Sequence, residues 1–439
     1  MRSDPFANWS KRLAARGGVP SQRAITYGLI FLGAGLLIYL LFARASMAGQ
    51  MTTFVLNPSG GAPVLQVPDL TFPTAPALYG AVLLCAFLGG WQLARGFRRL
   101  NLVLGFVAVL FVLAFLAWAA RDKSLNFTGL LNSALLRSVP IALAALSGVL
   151  CERCAVVNIG IEGMMLTGAF FASLTGSLAS RVWGWPTWAS LSFGLLGALV
   201  VGALLGLLLA VLAVRFKVNQ IIAGTAINIL AVGVTSFLSA RILADVQFQY
   251  LNNPGMFPRA PIPLLSGIPL IGPVFFDQNL LVYVLFVLLI VVHVMLFYTR
   301  WGLRTRAVGE HPRAADTLGI NVFKNRYINV MLGGMVAGLG GAFLILGSVG
   351  RFDELMTAGK GFIGLAAMIF GKWTPFGAFG AALIFGFADA LQTKLAILQT
   401  PIPSQILGMA PYLVTIIVLA GVVGEAIPPA ADGQPYEKQ

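Results

Sequence analysis

One repeated pattern leaves this chain little choice of fold: blocks of about twenty apolar residues, separated by short polar or basic connections. Within a bilayer such a block must be helical, because no water is present to satisfy an open backbone. The blocks fall near 24–42, 75–94, 100–120, 129–150, 163–180, 188–214, 220–240, 279–298, 327–347, 361–390 and 403–423. Hydrophobic residues make up 58% of the chain and charged residues 10%, whereas about a quarter of an ordinary soluble domain is charged. The expected fold is therefore all-α, a polytopic membrane bundle of about 10–11 transmembrane segments. Residues 1–23 and 425–439 read as tails around a membrane domain 24–424, the second of them short, polar and disordered.

A net charge of +14 would suggest nucleic-acid binding in a soluble protein. Here the basic residues gather at the N-terminus and between apolar blocks, where they fix orientation and meet anionic headgroups. Arg2, Lys11, Arg12, Arg16 and Arg23, then Arg95, Arg98 and Arg99, then Arg215 and Lys217, and finally the 299–326 connection all fall on one side in an alternating topology. That side is the cytoplasm, and no small-residue cleavage site follows the first block, so the N-terminus reads as a cytoplasmic tail before a retained helix. The stretches 43–74 and 241–278 fall outside, with Trp183, Trp185 and Trp188 as an interfacial belt. The three cysteines form no disulfide framework, and Cys151-Glu-Arg-Cys154 lacks the further ligands a zinc site needs. No metal site is expected.

Two blocks are broken. Residues 150–166 interrupt one, and Gly371-Lys372-Trp373-Thr374-Pro375-Phe376-Gly377 interrupts the 361–390 block. Non-helical backbone at membrane depth is tolerated only where it is buried in protein or lines a cavity. A broken segment in each half points to a transport site and suggests an internal inverted repeat. Catalysis finds no support. The nearest approach to a phosphate-binding loop, Gly364 to Gly371-Lys372-Trp373, is too long and has Trp where Ser or Thr must hold Mg²⁺.

The connection 299–326 carries more than topology requires. Pro312, then Arg313-Ala314-Ala315-Asp316-Thr317-Leu318, then Gly319 reads as a short helix with Pro at its start and Gly just past its end. A capped helix in a cytoplasmic loop is what a membrane subunit needs to dock a soluble partner.

The stretch Gly302-Leu-Arg304-Thr-Arg306-Ala-Val-Gly309-Glu310-His-Pro312-Arg313-Ala314-Ala315 closely resembles the coupling loop of ABC-transporter permeases of the branched-chain amino acid, simple sugar and nucleoside class. Asn158-Ile-Gly160-Ile-Glu162-Gly163-Met-Met, Val218-Asn-Gln-Ile-Ile-Ala-Gly-Thr-Ala-Ile-Asn228 and Arg351-Phe352 through Ala367 resemble further stretches of the same family, nearest its nucleoside members, over about 125–425. The resemblance implies a permease subunit of an ATP-driven importer in a bacterial or archaeal plasma membrane. Sugar or branched-chain amino acid transport is the alternative, and a self-sufficient secondary transporter is the rival of another class. It implies a second permease subunit, a cytoplasmic ATPase and an extracytoplasmic binding lipoprotein as partners. This chain would bind no cofactor, ATP and Mg²⁺ being used by the partner ATPase. Arg304, Arg306, Gly309, Glu310, Pro312, Arg313, Ala314, Ala315 and Gly319 would form the ATPase coupling surface. Asn158, Gly160, Glu162, Gly163, Asn228, Phe352 and Phe362 would line the substrate pathway. From the residues alone, Asn158 and Glu162 read as pathway groups or as braces of the broken helix, and Asn228 as a pathway group or as a partner in an interhelical hydrogen bond. Asn158, four residues before Glu162, is expected on the same helix face. Phe352 and Phe362 could stack on a planar solute, and Asp353, Glu354 and Asp389 stand at span ends.

Overall fold

The structure, a computed structural model, describes residues 22–57, 67–243, 249–399, 408–409 and 426–438. The chain forms two compact units, one from Gln66–Phe127 with the chain before Pro58, the other from Thr128–Ala396 with the chain after Pro401. Among the described residues nine helices are long and apolar enough to cross a membrane, so the protein is a polytopic all-α membrane protein. The apolar block expected at 403–423, and nearly all of the 1–23 tail, lie outside the described residues.

The first unit holds α1 (Gln22–Ile38), α2 (Thr74–Ala94) and α3 (Leu100–Ala119). The 43–74 stretch, expected as a plain loop, contains β1 (Met51–Val55) and β2 (Leu70–Pro73), which with β3 (Ser124–Asn126) form a small sheet in the order β2-β1-β3. Met51-Thr-Thr-Phe-Val55 has the β-branched and aromatic composition that suits a strand. β1 pairs antiparallel with β2 and parallel with β3. Thr52 Oγ1 donates to Ala117 O at 2.9 Å, fixing the sheet to α3.

The second unit begins with α4 (Phe127–Glu152) and α5 (Ile161–Ser177), separated by the first predicted break. Then come α6 (Thr187–Ala210), α7 (Gln220–Leu238), α8 (Leu280–Tyr298), α9 (Arg300–Glu310), α10 (Pro312–Thr317) and α11 (Val322–Leu344). The second predicted break divides α12 (Lys360–Phe370) from α13 (Pro375–Ile397). Several spans loosen at their last turn into a wider π-type turn, as at Val211–Arg215 and Ile345–Val349.

Burial sorts these helices. In α4 the apolar window is 89% buried, against 28–33% for α6, α7 and α8, whose outer faces stay apolar and uncovered. α4, α5 and α11 form the centre. Close approach there depends on glycine. A side chain at Gly202 of α6 would collide with Gly334 O of α11, and one at Gly206 would lie 2.7 Å from Val330 O. Backbones this close are held by packing and weak backbone contacts, which lipid cannot supply.

One sequence expectation fails here. The segment 426–438 is not a free polar tail: Ala431 and Tyr436 are buried, Tyr436 against Val308, Ala315, Val322 and Phe323. A polar composition hid a single aromatic anchor.

Candidate functional site

The two breaks form one structure. The half-helix α12, whose 11 residues span about 16 Å at 1.5 Å per residue, is bracketed by the ends of the 153–160 turn. At its start, Glu162 accepts from Gly359 N at 2.8 Å and from Gly361 N at 2.6 Å, one bond on each carboxylate oxygen. Past its end, Arg153 donates to Trp373 O at 2.9 Å and Lys372 O at 3.3 Å. A carboxylate thus sits at the positive end of α12 and a guanidinium at the negative end, the favourable arrangement for a helix dipole. Trp373 Nε1 closes the second contact by donating to Glu152 Oε2 at 2.6 Å. Glu162 also lies in the first turn of α5, so two helix N-termini face one carboxylate.

Asn228 of α7 clamps the first break from the other side. It donates to Ile159 O at 2.9 Å and accepts from Gly163 N at 2.8 Å. Gly163 allows this approach, since a side chain there would come within 2.9 Å of Asn228 Cα, whereas one at Gly160 would make only ordinary contacts, 3.4 Å from Ile227. Asn158 is placed differently from the sequence expectation. It precedes α5 instead of lying a helical turn before Glu162 on one face, because the helix begins only at Ile161. Its side chain is fully buried against sulfur, with Nδ2 at 3.5 Å from Cys151 Sγ and 3.6 Å from Met164 Sδ.

The two phenylalanines separate. Phe352 is 2% exposed and packs edge-on against Phe170 at 5.3 Å, so it is a core residue and cannot stack on a solute. Asn252 holds its backbone on both sides, accepting from Phe352 N at 2.7 Å and donating to Phe352 O at 2.9 Å. Phe362 is 48% exposed on α12. Asp353 and Glu354 are exposed, whereas Asp389 pairs with Arg137 at 2.8 Å.

The 299–321 connection is folded throughout. Thr299 caps α9, and α10 begins with Pro312 at its first turn and His311 Nδ1 accepting from Ala314 N at 3.3 Å. Gly319 follows with φ +80°, a conformation that favours glycine. The expected surface is only partly exposed. Arg304, Arg313, Ala314 and Gly319 face outward, Arg306 and Pro312 are half-buried, and Gly309 and Ala315 are buried. Glu310 Oε2 is occupied by this chain's own Ala430 N at 3.2 Å.

Sequence reading missed two exposed apolar side chains there, Leu303 at 62% and Leu318 at 80% exposure. Their signal was a leucine among polar and basic residues at the ends of short helices whose small core is filled by Val308 and Ala315. It also missed the network fixing α9 to α11. Asn329 donates to Thr305 Oγ1 at 3.2 Å and Asn325 O at 2.8 Å, Asn325 donates to Thr305 Oγ1 at 3.2 Å, and the i, i+4 spacing of the asparagines on α11 was the clue.

Known proteins are similar to this chain in sequence over the region that holds the breaks and the loop. The sequence profile described as "Branched-chain amino acid transport system / permease component" matches residues 130–420. The chain is 43% identical over 308 residues to the guanosine ABC transporter permease protein NupQ of Bacillus subtilis, covering 69% of this chain and 95% of the relative. It is 42% identical over 318 residues to the nucleoside ABC transporter permease protein NupC of Lactococcus lactis, again covering 69% and 95%. It is 33% identical over 317 residues to the putative glucose ABC transporter permease protein TsgC13 of Haloferax volcanii, covering 67% and 92%. With spans, paired breaks and a folded loop inside the matched region, the chain belongs to the family of branched-chain amino acid transport system permease components, membrane permeases of ABC transporters.

Proposed function

We propose that this chain is the permease subunit of an ATP-driven importer that carries a nucleoside into the cell. It works in the plasma membrane with its N-terminus in the cytoplasm. Its partners are a second permease, a cytoplasmic ATPase that uses ATP and Mg²⁺, and an extracytoplasmic binding lipoprotein.

What carries this proposal is the α9–α10 projection, a loop folded at the cost of several buried polar bonds yet exposing Leu303 and Leu318 beside Arg304 and Arg313. An apolar tip with flanking cations suits a groove on a soluble subunit, and a loop needed only for topology requires neither. The docking surface is then Leu303, Arg304, Arg313, Ala314 and Leu318, while Gly309 and Ala315 support it from within and the exposed Glu310 holds Ala430 N.

The substrate class rests on two supports. The relatives of highest identity reported above are named for guanosine and nucleoside transport. Within the chain, Glu162 and Asn228 spend their hydrogen-bonding capacity on backbone, and the convergent N-termini of α5 and α12 already face a carboxylate. An anionic solute would meet Glu162 instead of free N–H groups, which favours an uncharged solute such as a nucleoside. A sugar is the second reading, on the strength of the Haloferax relative.

The test is uptake of radiolabelled guanosine by the complete transporter, with uridine, ribose and leucine as competitors. Competition by uridine alone is expected. Competition by ribose or leucine in place of uridine would overturn the substrate assignment. Leu318→Arg should release the ATPase on purification, and its retention would remove the docking assignment.

A further inference from the structure

The segment 426–438 touches the loop, the first helix break and α11 together. On the loop, Ala431 N donates to Gly309 O at 3.0 Å and Ala430 N to Glu310 Oε2 at 3.2 Å. From α11, the buried Arg326 donates to Gln434 O at 3.1 Å. Tyr436 fills a pocket with Val308 of α9, Ala315 of α10, and Val322 and Phe323 of α11. At the first break, the Asp432 carboxyl lies close enough to that of Glu152 to interact with it electrostatically, and Gly433, at φ +74°, faces Val157. Lys217, between α6 and α7, pairs with Glu437 at 2.5 Å.

Two features separate this from a lid that comes and goes. Withdrawing the segment would take from the buried Arg326 its hydrogen bond to Gln434 O, which is far costlier than losing a surface contact. It would also uncover the apolar faces of α9 and α10 around Val308 and Ala315. Meanwhile Leu303 and Leu318 stay exposed with the segment in place, so it does not cover the tip of the loop.

The first break has a second direct tie to the loop. A side chain at Gly309 would collide with Arg153 O and lie 3.5 Å from Pro429 Cβ. Arg153 is also the residue that holds the end of α12. A continuous set of contacts therefore runs from α10 through Tyr436 and Asp432 to the turn that brackets the half-helix.

We infer that segment 426–438 is a positioning strut of the transport cycle, joining the docking helix α10 to the paired helix breaks so that displacement of one moves the other. This rests on the docking role assigned to α10 above. Loss of the strut should uncouple the two ends while each remains intact.

The experiment uses the assembled transporter in proteoliposomes, reading ATPase co-purification, ATP hydrolysis and solute uptake. Tyr436→Ala should leave the ATPase bound and hydrolysis within about twofold, while uptake falls about tenfold. Tyr436→Phe should restore uptake. A proportional fall of all three readouts, or unchanged uptake, would overturn the strut. Because Tyr436→Ala could lower the amount of folded permease, a second measurement stands beside it. Lys217→Cys with Glu437→Cys, both at exposed positions, are joined by a short thiol cross-linker that locks the segment down. A strut predicts uptake at the unlinked rate, and loss of uptake on linking would show that the segment must leave and would overturn the inference. The Leu318→Arg arm keeps the two assignments apart. If it leaves the ATPase bound, the docking role of α10 fails. If it releases the ATPase while Tyr436→Ala leaves the ratio of uptake to hydrolysis unchanged, the strut alone fails.

Discussion

At the scale of single residues, polar groups in this membrane protein are spent on backbone. Glu162 takes one N–H on each oxygen, and a glutamine could accept only one of them while turning a donor toward the other. Glu162→Gln should therefore destabilise the permease by ~1–3 kcal/mol, the range for an orphaned buried donor. Thermal unfolding in detergent measures this, and substrate preference among the transported molecules should stay the same. A changed preference at unchanged stability would return Glu162 to the pathway. Asp432 supplies a pH dependence. Burial raises its carboxyl from the usual 3.8 to about 6, against the opposing effects of the neighbouring Glu152 side chain, the Gly433 N–H and the charge of Arg326. Glu152, Cys151, Cys154 and Arg326 are the titratable or charged groups around it. The docked segment keeps a proton that a released one loses between pH 3.8 and about 6. Its attachment is thus firmest below about pH 4 and weakens as pH rises to about 6. The exposed Glu437–Lys217 pair works in the opposite sense, but exposed pairs contribute little. Hydrogen exchange at Ala430, Ala431 and Gln434 should quicken, beyond the intrinsic rate, over that window, and Asp432→Asn should flatten the response. Protection that grows with pH would contradict this. None of these partners could be named from the sequence. Glu162 and Gly359 stand 197 positions apart, and local patterning carries no information on such pairings.

At the scale of elements, glycine and proline were more legible. The Pro312 start of α10, the Gly319 that follows it and the Pro375 start of α13 are present because each residue type acts on its own backbone, whatever surrounds it, whereas the left-handed residues inside the two breaks are Ala155, Lys372 and Trp373. Glycines that serve packing are another matter. The spacings Gly202-x-x-x-Gly206 and Gly334-x-x-x-Gly338 permit close backbone approach, but among 50 glycines only the fold shows that these two faces meet each other. Gly334→Leu would drive a side chain into Gly202 O and Gly206 of α6. It should cost about 3 kcal/mol or more by overpacking and sharply reduce folded protein in the membrane, as fluorescence-detected size exclusion would report. Gly80→Leu in α2, where nothing lies within 4 Å, should leave that yield unchanged. Ala315 belongs with the packing residues too. A bulky residue there would fail because the site is 2% exposed, so it is no probe of docking, and Leu318 takes its place.

For the whole molecule, orientation is the property most open to a direct test. Single cysteines at Arg98, Lys217 and Asn321 should resist a membrane-impermeant thiol reagent in intact cells and react once the membrane is opened. Ready labelling at any of them in intact cells would overturn the arrangement of spans. The sequence by itself determined the membrane class, the approximate positions of the described spans, the two breaks and the folded loop. These follow from hydrophobic length, from the polar residues that interrupt it, and from the intrinsic behaviour of glycine and proline, which act within a turn or two of chain. Tertiary structure alone decided that Phe352 is core, that Asn158 lies among sulfur atoms, that Glu162 and Arg153 hold opposite ends of α12, and that 426–438 is anchored to the loop. In a chain this apolar, nearly every residue could be buried. Which polar groups meet is therefore fixed by helix packing, since a buried hydrogen-bonding group must find a partner wherever the bundle places one.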